Sequence, residues 1–252
     1  MLQPAPDAAA FREHLSGPLD ELVESHGYGN RAARPADSTP ADLAEAFTQL
    51  IEVMQRTERG LAEDQPGQPG RASGEQVSEI GEYALELFEQ ALGWANDLDL
   101  PEVFETFQVA MINMSRWIAR HGGELFRLEA VVDALAREAN RIQEPRELLD
   151  LYGVMGEIID ATTSAIRQDL EKTNPGRPWR VLHLNRGIVA TRTHQPDVME
   201  EAFASLVERL PEDAPGFFSQ GMEQMDLLNY PPHVREVMDR YYRKWSVNRS
   251  LH

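Results

Sequence analysis

In almost every segment that reads as ordered the apolar residues return every three or four positions, and no stretch alternates apolar with polar as a half-buried strand would. That rhythm restricts the chain to helices that each hide one face, so the interior must be built by laying helix on helix. Thr39-Pro40 reads as an N-cap followed by a first-turn proline, with Asp42 placed to reach back as in a capping box. Leu43, Phe47, Leu50, Ile51 and Met54 then mark one helix face. Upstream, Phe11, Leu15, Leu19 and Leu22 predict a helical segment interrupted at Gly17-Pro18.

Residues 62–75, AEDQPGQPGRASGE, carry no aliphatic anchor and are dense in proline, glycine and serine, the composition of a flexible linker. They separate a small N-terminal helical segment, residues 1–61, from a body spanning 76–252. In the body, Val77 to Ala95 predicts one helix. Asp99-Leu100-Pro101 opens a second, with Val103, Phe104, Phe107, Met111, Met114 and Ile118 on one side. Leu125 to Ile142 gives a third, and a helix over 146–171 carries Tyr152, Met155, Ile159, Ile166 and Leu170. Shorter helices follow over 197–210, 215–228 and 232–246, punctuated by Pro196, Pro211, Pro215 and Pro231-Pro232. The expectation is an all-α protein, a stack of helix pairs in which each pair buries its face on the next.

Composition removes several kinds of chemistry. With 42 acidic and 24 basic residues the formal charge is −18, which opposes binding to nucleic acid or to an anionic membrane surface. There is no cysteine, so thiolate metal sites, disulfides and cysteine nucleophiles are absent. No apolar run approaches a membrane span, and the N-terminus lacks the pattern of a signal peptide, so a cytoplasmic protein is expected. The arginine-, alanine- and acid-rich composition, with only Lys172 and Lys244 as lysines, suits a GC-rich bacterial genome or a cytoplasm with high salt.

No histidine follows a glutamate by three positions, and no HExxH, P-loop or G-x-S-x-G motif occurs. Gly27-Tyr28-Gly29 with Ala32 imitates a dinucleotide fingerprint but follows a helix, not a strand, and reads as a turn. His233 and Glu236 share one helix face, half a metal site, yet a helix start explains both. Asp97 and Asp99 read as helix-boundary residues. A non-enzyme with no cofactor and no metal is expected.

Against this acidic background, the stretch from Lys172 to Pro196 contains no carboxylate, where the chain's average would place about four. It holds Arg177, Arg180, Arg186 and Arg192 with Trp179, His183 and His194. On a helix, Trp179, His183, Arg186 and Ala190 fall on one side, and Val181, Leu184 and Ile188 on the other. Two readings stay open. Arg186 could lie over Trp179 or pair with a neighbouring carboxylate, as internal structure. Alternatively, Trp179, Arg180, His183, Asn185 and Arg186 line a groove whose guanidinium forks grip a carboxylate or phosphate.

Gly153, Gly187 and Gly221 lie 34 residues apart, and Gly187, Phe203 and Pro211 fall in register with a small residue, an aromatic and a closing proline. Over about residues 146–245 the chain thus resembles the tetratricopeptide repeat family, a helix–turn–helix unit that stacks into a superhelix. Arg186, Ala190 and Met199 stand at the family's other small and aromatic positions, and Asp169 stands where an earlier aromatic belongs. The resemblance implies a groove lined by first helices, with asparagine and arginine binding the partner, and by that resemblance Asn113 and Arg116 on an earlier helix extend the lane.

The functional expectation is an adaptor or scaffold that takes an acidic or C-terminal segment of a protein partner, with homo-oligomerisation left open. The alternative is a small-molecule-binding regulatory domain, its cavity lined by Phe104, Phe107, Met111, Met114 and Trp117.

Overall fold

The computed structural model describes residues 7–28, 38–62 and 74–246, which form eleven helices. These are α1 (Ala8–Tyr28), α2 (Pro40–Ala62), α3 (Gly74–Asp97), α4 (Pro101–Arg120), α5 (Glu129–Arg141), α6 (Pro145–Ala161), α7 (Ser164–Arg167), α8 (Pro178–Arg192), α9 (Pro196–Arg209), α10 (Ala214–Leu227) and α11 (Pro232–Ser246). Among the described residues the only β pairing is an isolated parallel bridge between Leu125 and Thr162. No helix among them is long and apolar enough to cross a membrane. Most of the 62–75 segment lies outside the described residues, as do Gly29 and Ala32.

Several boundaries follow local chemistry. The Thr39 amide and hydroxyl donate to Asp42 Oδ2 at 2.9 and 2.7 Å, and the Asp42 amide donates to Thr39 Oγ1 at 3.2 Å. This reciprocal cap starts α2 as expected. Pro101, Pro178 and Pro196 occupy first-turn positions, where a missing N–H costs nothing. Asp99 and Asn229 follow α3 and α10 with φ of 57° and 52°, the left-handed residues that close helix ends.

Two expected boundaries are corrected. Pro18 does not interrupt α1, which runs unbroken from Ala8 to Tyr28. An interior proline costs about 3 kcal/mol. Phe11, Leu15, Leu19 and Leu22 are all buried on the same helix, and each fully buried side chain returns about 1.5–3 kcal/mol, enough to hold α1 together. The helix expected over 146–171 ends at Ala161. Thr162 turns its hydroxyl back to the Ile158 carbonyl at 2.8 Å. The chain then leaves the helix to pair with Leu125, whose amide donates to Ala161 O and whose carbonyl accepts from the Thr163 amide. Leu170, expected on an apolar face, is 80% exposed.

The chain divides into two compact units, Met1–Leu135 with Glu157–Arg167, and Ala136–Gly156 with Gln168–His252. In the first, α1 packs on α2, α2 on α3, α3 on α4, and α4 again on α1. The four therefore close on themselves, whereas an open stack would leave first and fourth apart. Glu58 Oε1, near the end of α2, accepts from the Ala8 amide at 2.9 Å and from Trp117 Nε1 at 2.8 Å. The start of α1 thus meets the ends of α2 and α4, and α1 runs antiparallel to both. Phe47, Phe88 and Phe107 fill the centre, with ring centroids 4.9 to 6.4 Å apart. Phe107, Met111, Met114 and Trp117 are spent on this core, and Phe104 is half-buried beside it.

In the second unit α8 packs on α9, α10 on α11, and α11 on α9, two helix pairs in sequence. A Cβ at Gly187 would come within 2.7 Å of Phe217 Cζ, and one at Gly221 within 2.6 Å of Met238 Sδ. Gly187 thus leaves room for the Phe217 ring of α10, and Gly221 for the Met238 side chain of α11. Gly153 has no atom within 4 Å of its Cβ position.

Candidate interaction surface

The acid-free stretch draws its counter-charges from elsewhere in the second unit. Asp169, held at φ 48°, accepts from Arg177 Nε at 2.6 Å. Arg177 Nη1 donates to the carbonyls of Lys172 and Asn174, and Nη2 reaches Asp213 Oδ2 at 3.4 Å. Asp213 also accepts from Arg180 Nε at 2.6 Å, and Arg180 Nη1 donates to Pro175 O. Arg177 is buried, and its hydrogen bond to Asp169 holds its proton more tightly still. Lys172 pairs with Glu212 at 3.2 Å. Arg192 donates to Ala139 O and Ile142 O, carbonyls that the end of α5 leaves free.

Arg186 is the centre of a triad. Its Nη2 donates to Glu201 Oε1 at 2.8 Å, and its Cζ lies 4.1 Å from the centre of the Tyr152 ring. Tyr152 Oη donates to the same Glu201 oxygen at 2.9 Å. The Tyr152 and Arg186 hydrogen bonds hold the Glu201 carboxyl below its ordinary range, and burial pushes the Tyr152 phenol up. The ring beneath Arg186 is therefore Tyr152, not Trp179.

Trp179 and His183 are each 3% exposed and meet edge to face at 4.4 Å. His183 Nε2 is buried with no hydrogen-bond partner, and burial first, then the charges of Arg186 and Arg209, push the imidazole down to about 4. Asn185 is half-buried. The side of α8 that carries Trp179, His183 and Arg186 thus faces inward, and its cations are already held. Asn113 and Arg116 lie on α4 in the first unit. There Arg116 is buried and donates to Glu157 Oε2 at 3.2 Å, a carboxylate shared with Arg120. Asn113 Oδ1 is buried without a hydrogen-bond partner.

The opposite side of α8 meets solvent. Val181 and Leu184 are half-exposed and Ile188 is 48% exposed. Two adjoining depressions run between α8 and α10, of about 280 Å³ and 420 Å³. They share Ile188, Phe217 and Gln220. Leu184 lies at one end, and Leu228, 62% exposed, lies at the other. Phe217 is fixed edge to face against Phe203 and Phe218, at 5.7 and 5.3 Å. Leu184, Ile188, Phe217 and Leu228 thus lie along depressions whose walls also carry Arg180, Asp213, Glu223 and Gln224. The helical wheel had Val181, Leu184 and Ile188 on one side, but nothing in the sequence selects that side as the outer one. The paired Leu227-Leu228 at the end of α10 was the unread signal.

Among the described residues no three histidine, aspartate or glutamate side chains are placed to hold a metal ion. Compared with known protein families, curated proteins and solved structures, the chain matches none of them.

Proposed function

We propose that this chain is a non-enzymatic protein-interaction module whose α8–α10 groove receives an amphipathic helical segment of a protein partner. The observation that carries it is the strip Leu184, Ile188, Phe217 and Leu228, left open on a chain of net charge −18. Exposed apolar side chains flanked by polar ones mark interaction sites, and a groove between two helices suits a third. Recognition rests on apolar contact, since Arg177, Arg180, Arg186 and Arg192 are engaged within the chain.

The pairs α8–α9 and α10–α11 support a tetratricopeptide-like reading of this unit. Gly187 and Gly221 make room for the Phe217 and Met238 side chains, and the first helix of each pair lines the groove. Peptide display against the purified chain tests the proposal. The expected selection is sequences with apolar residues at helical spacing, whose binding is lost with Ile188→Asp and Leu228→Asp. Selected peptides that bind both variants as tightly as the parent would refute the groove.

A further inference from the structure

A second surface, in the first unit, has a different chemistry. Glu75, Glu79, Glu82 and Glu86 follow one another along α3 at spacings of four, three and four, which sets them in one stripe. The loop after α4 brings Glu124 and Phe126 to that stripe. Together with Tyr83 they bound a depression of about 810 Å³.

Its floor is fixed by close backbone packing. A Cβ on Gly74 would overlap the Gly122 carbonyl, and one on Gly123 would lie 2.8 Å from a Val77 methyl. Ser78 Oγ donates to Gly74 O at 2.7 Å and accepts from the Glu124 amide at 2.8 Å, which sets the position of Glu124. Tyr83 and Phe126 are 47% and 56% exposed, aromatic surface that a core would otherwise claim.

One cation of the chain already occupies part of the stripe. Arg127 Nε pairs with Glu82 and its Nη2 with Glu86 at 2.5 Å. Beyond it, among the described residues, Glu75, Glu79 and Glu124 hold no counter-charge, and Glu82 Oε2 is buried with no donor. One turn further, desolvation and the charges of Glu129, Glu86 and Glu82 push the Glu89 carboxyl up despite Arg127. Crowded carboxylates beside open aromatic faces suit a guanidinium or ammonium group carried on an apolar stem. They repel phosphates and acidic peptides.

We infer that the groove between α3 and the α4–α5 loop docks an extended segment of a partner protein that bears arginine or lysine. Its cations meet Glu75, Glu79 and Glu124, and its apolar stems lie on Tyr83 and Phe126. Arg127 on Glu82 and Glu86 shows, within the chain, the contact that the partner repeats.

The test is anisotropy of a fluorescein-labelled decapeptide of alternating arginine and alanine, titrated with the full chain at physiological ionic strength. Glu75→Gln with Glu79→Gln is expected to weaken binding about tenfold, the effect of ~1.4 kcal/mol. Tyr83→Ala with Phe126→Ala should weaken it several-fold. Glu21→Gln with Glu24→Gln on α1 removes the same charge elsewhere and should change it less than about twofold. An equal loss from the α1 pair overturns the inference, because attraction would then be general. So does the absence of binding, or spermine displacing the peptide as well as an unlabelled copy does. The α8–α10 groove is untouched by these variants, so either surface can fail alone.

Discussion

The Arg186 guanidinium carbon stands 4.1 Å from the centre of the Tyr152 ring, while both side chains donate to one oxygen of Glu201. A cation that the sequence offers as a peptide clamp is therefore already engaged by Glu201 and Tyr152. Only 12% of the Arg186 side chain is exposed, against 65% for Glu201. The ring contact and packing thus outweigh the ion pair, which water screens.

Arg186→Ala should lower unfolding stability by about 2 kcal/mol, and Arg186→Lys should recover less than half, because lysine lacks the planar fork. Urea unfolding checks this. A variant as stable as the parent would free Arg186 for the ligand-binding role.

The three glycines spaced by 34 residues should respond to alanine in three different ways. At Gly153 the added methyl meets nothing, and Gly153→Ala should stabilise by about 0.5–1 kcal/mol through helix propensity. At Gly221 it meets the Met238 thioether, which can swing aside, and the change should be near neutral. At Gly187 it meets the Phe217 ring and Leu206, both packed, and Gly187→Ala should cost about 1–3 kcal/mol. Melting temperatures in that order support the packing. Gly187→Ala melting at or above the parent contradicts it.

His183 should shape the acid limb of stability. Its imidazole is held down to about 4, against an ordinary value of 6.5. Above 6.5 neither folded nor unfolded chain binds the proton there. Between 6.5 and 4 the unfolded chain binds it and the folded chain does not, so stability falls as pH falls. Below 4 both bind it and the loss levels off. The window amounts to about 3 kcal/mol. His183→Phe keeps the packing on Trp179 and should flatten the pH profile between 6.5 and 4; an unchanged slope would assign the acid sensitivity elsewhere.

The sequence rhythm was enough for the helices, because each amphipathic face reports its own burial, and for the cap at Thr39 and Asp42, which lies within four residues. It misplaced Pro18 and the end of α6, where burial of Leu19 and the pairing of Thr163 with Leu125 override local preference. Which side of α8 meets solvent is out of reach for another reason. With Trp179, Val181, Leu182, Leu184, Ile188 and Val189 spread around it, the helix is apolar on nearly every side. Its orientation is decided by Tyr152, Glu201 and Phe217, residues at a distance in the chain. The acid-free stretch is plain in the sequence, but its carboxylates, Asp169, Asp213 and Glu201, meet it only in three dimensions.

The α8–α10 groove is tested most directly by placing a photoreactive benzoylphenylalanine at position 188 in the cell of origin and sequencing what it traps. The expected product joins position 188 to one short segment of a partner, apolar at helical spacing, and Leu228→Asp abolishes it. Products indistinguishable from those trapped by the same group at Leu170, exposed but outside the groove, or no intermolecular product at all, would contradict a docking role for this face.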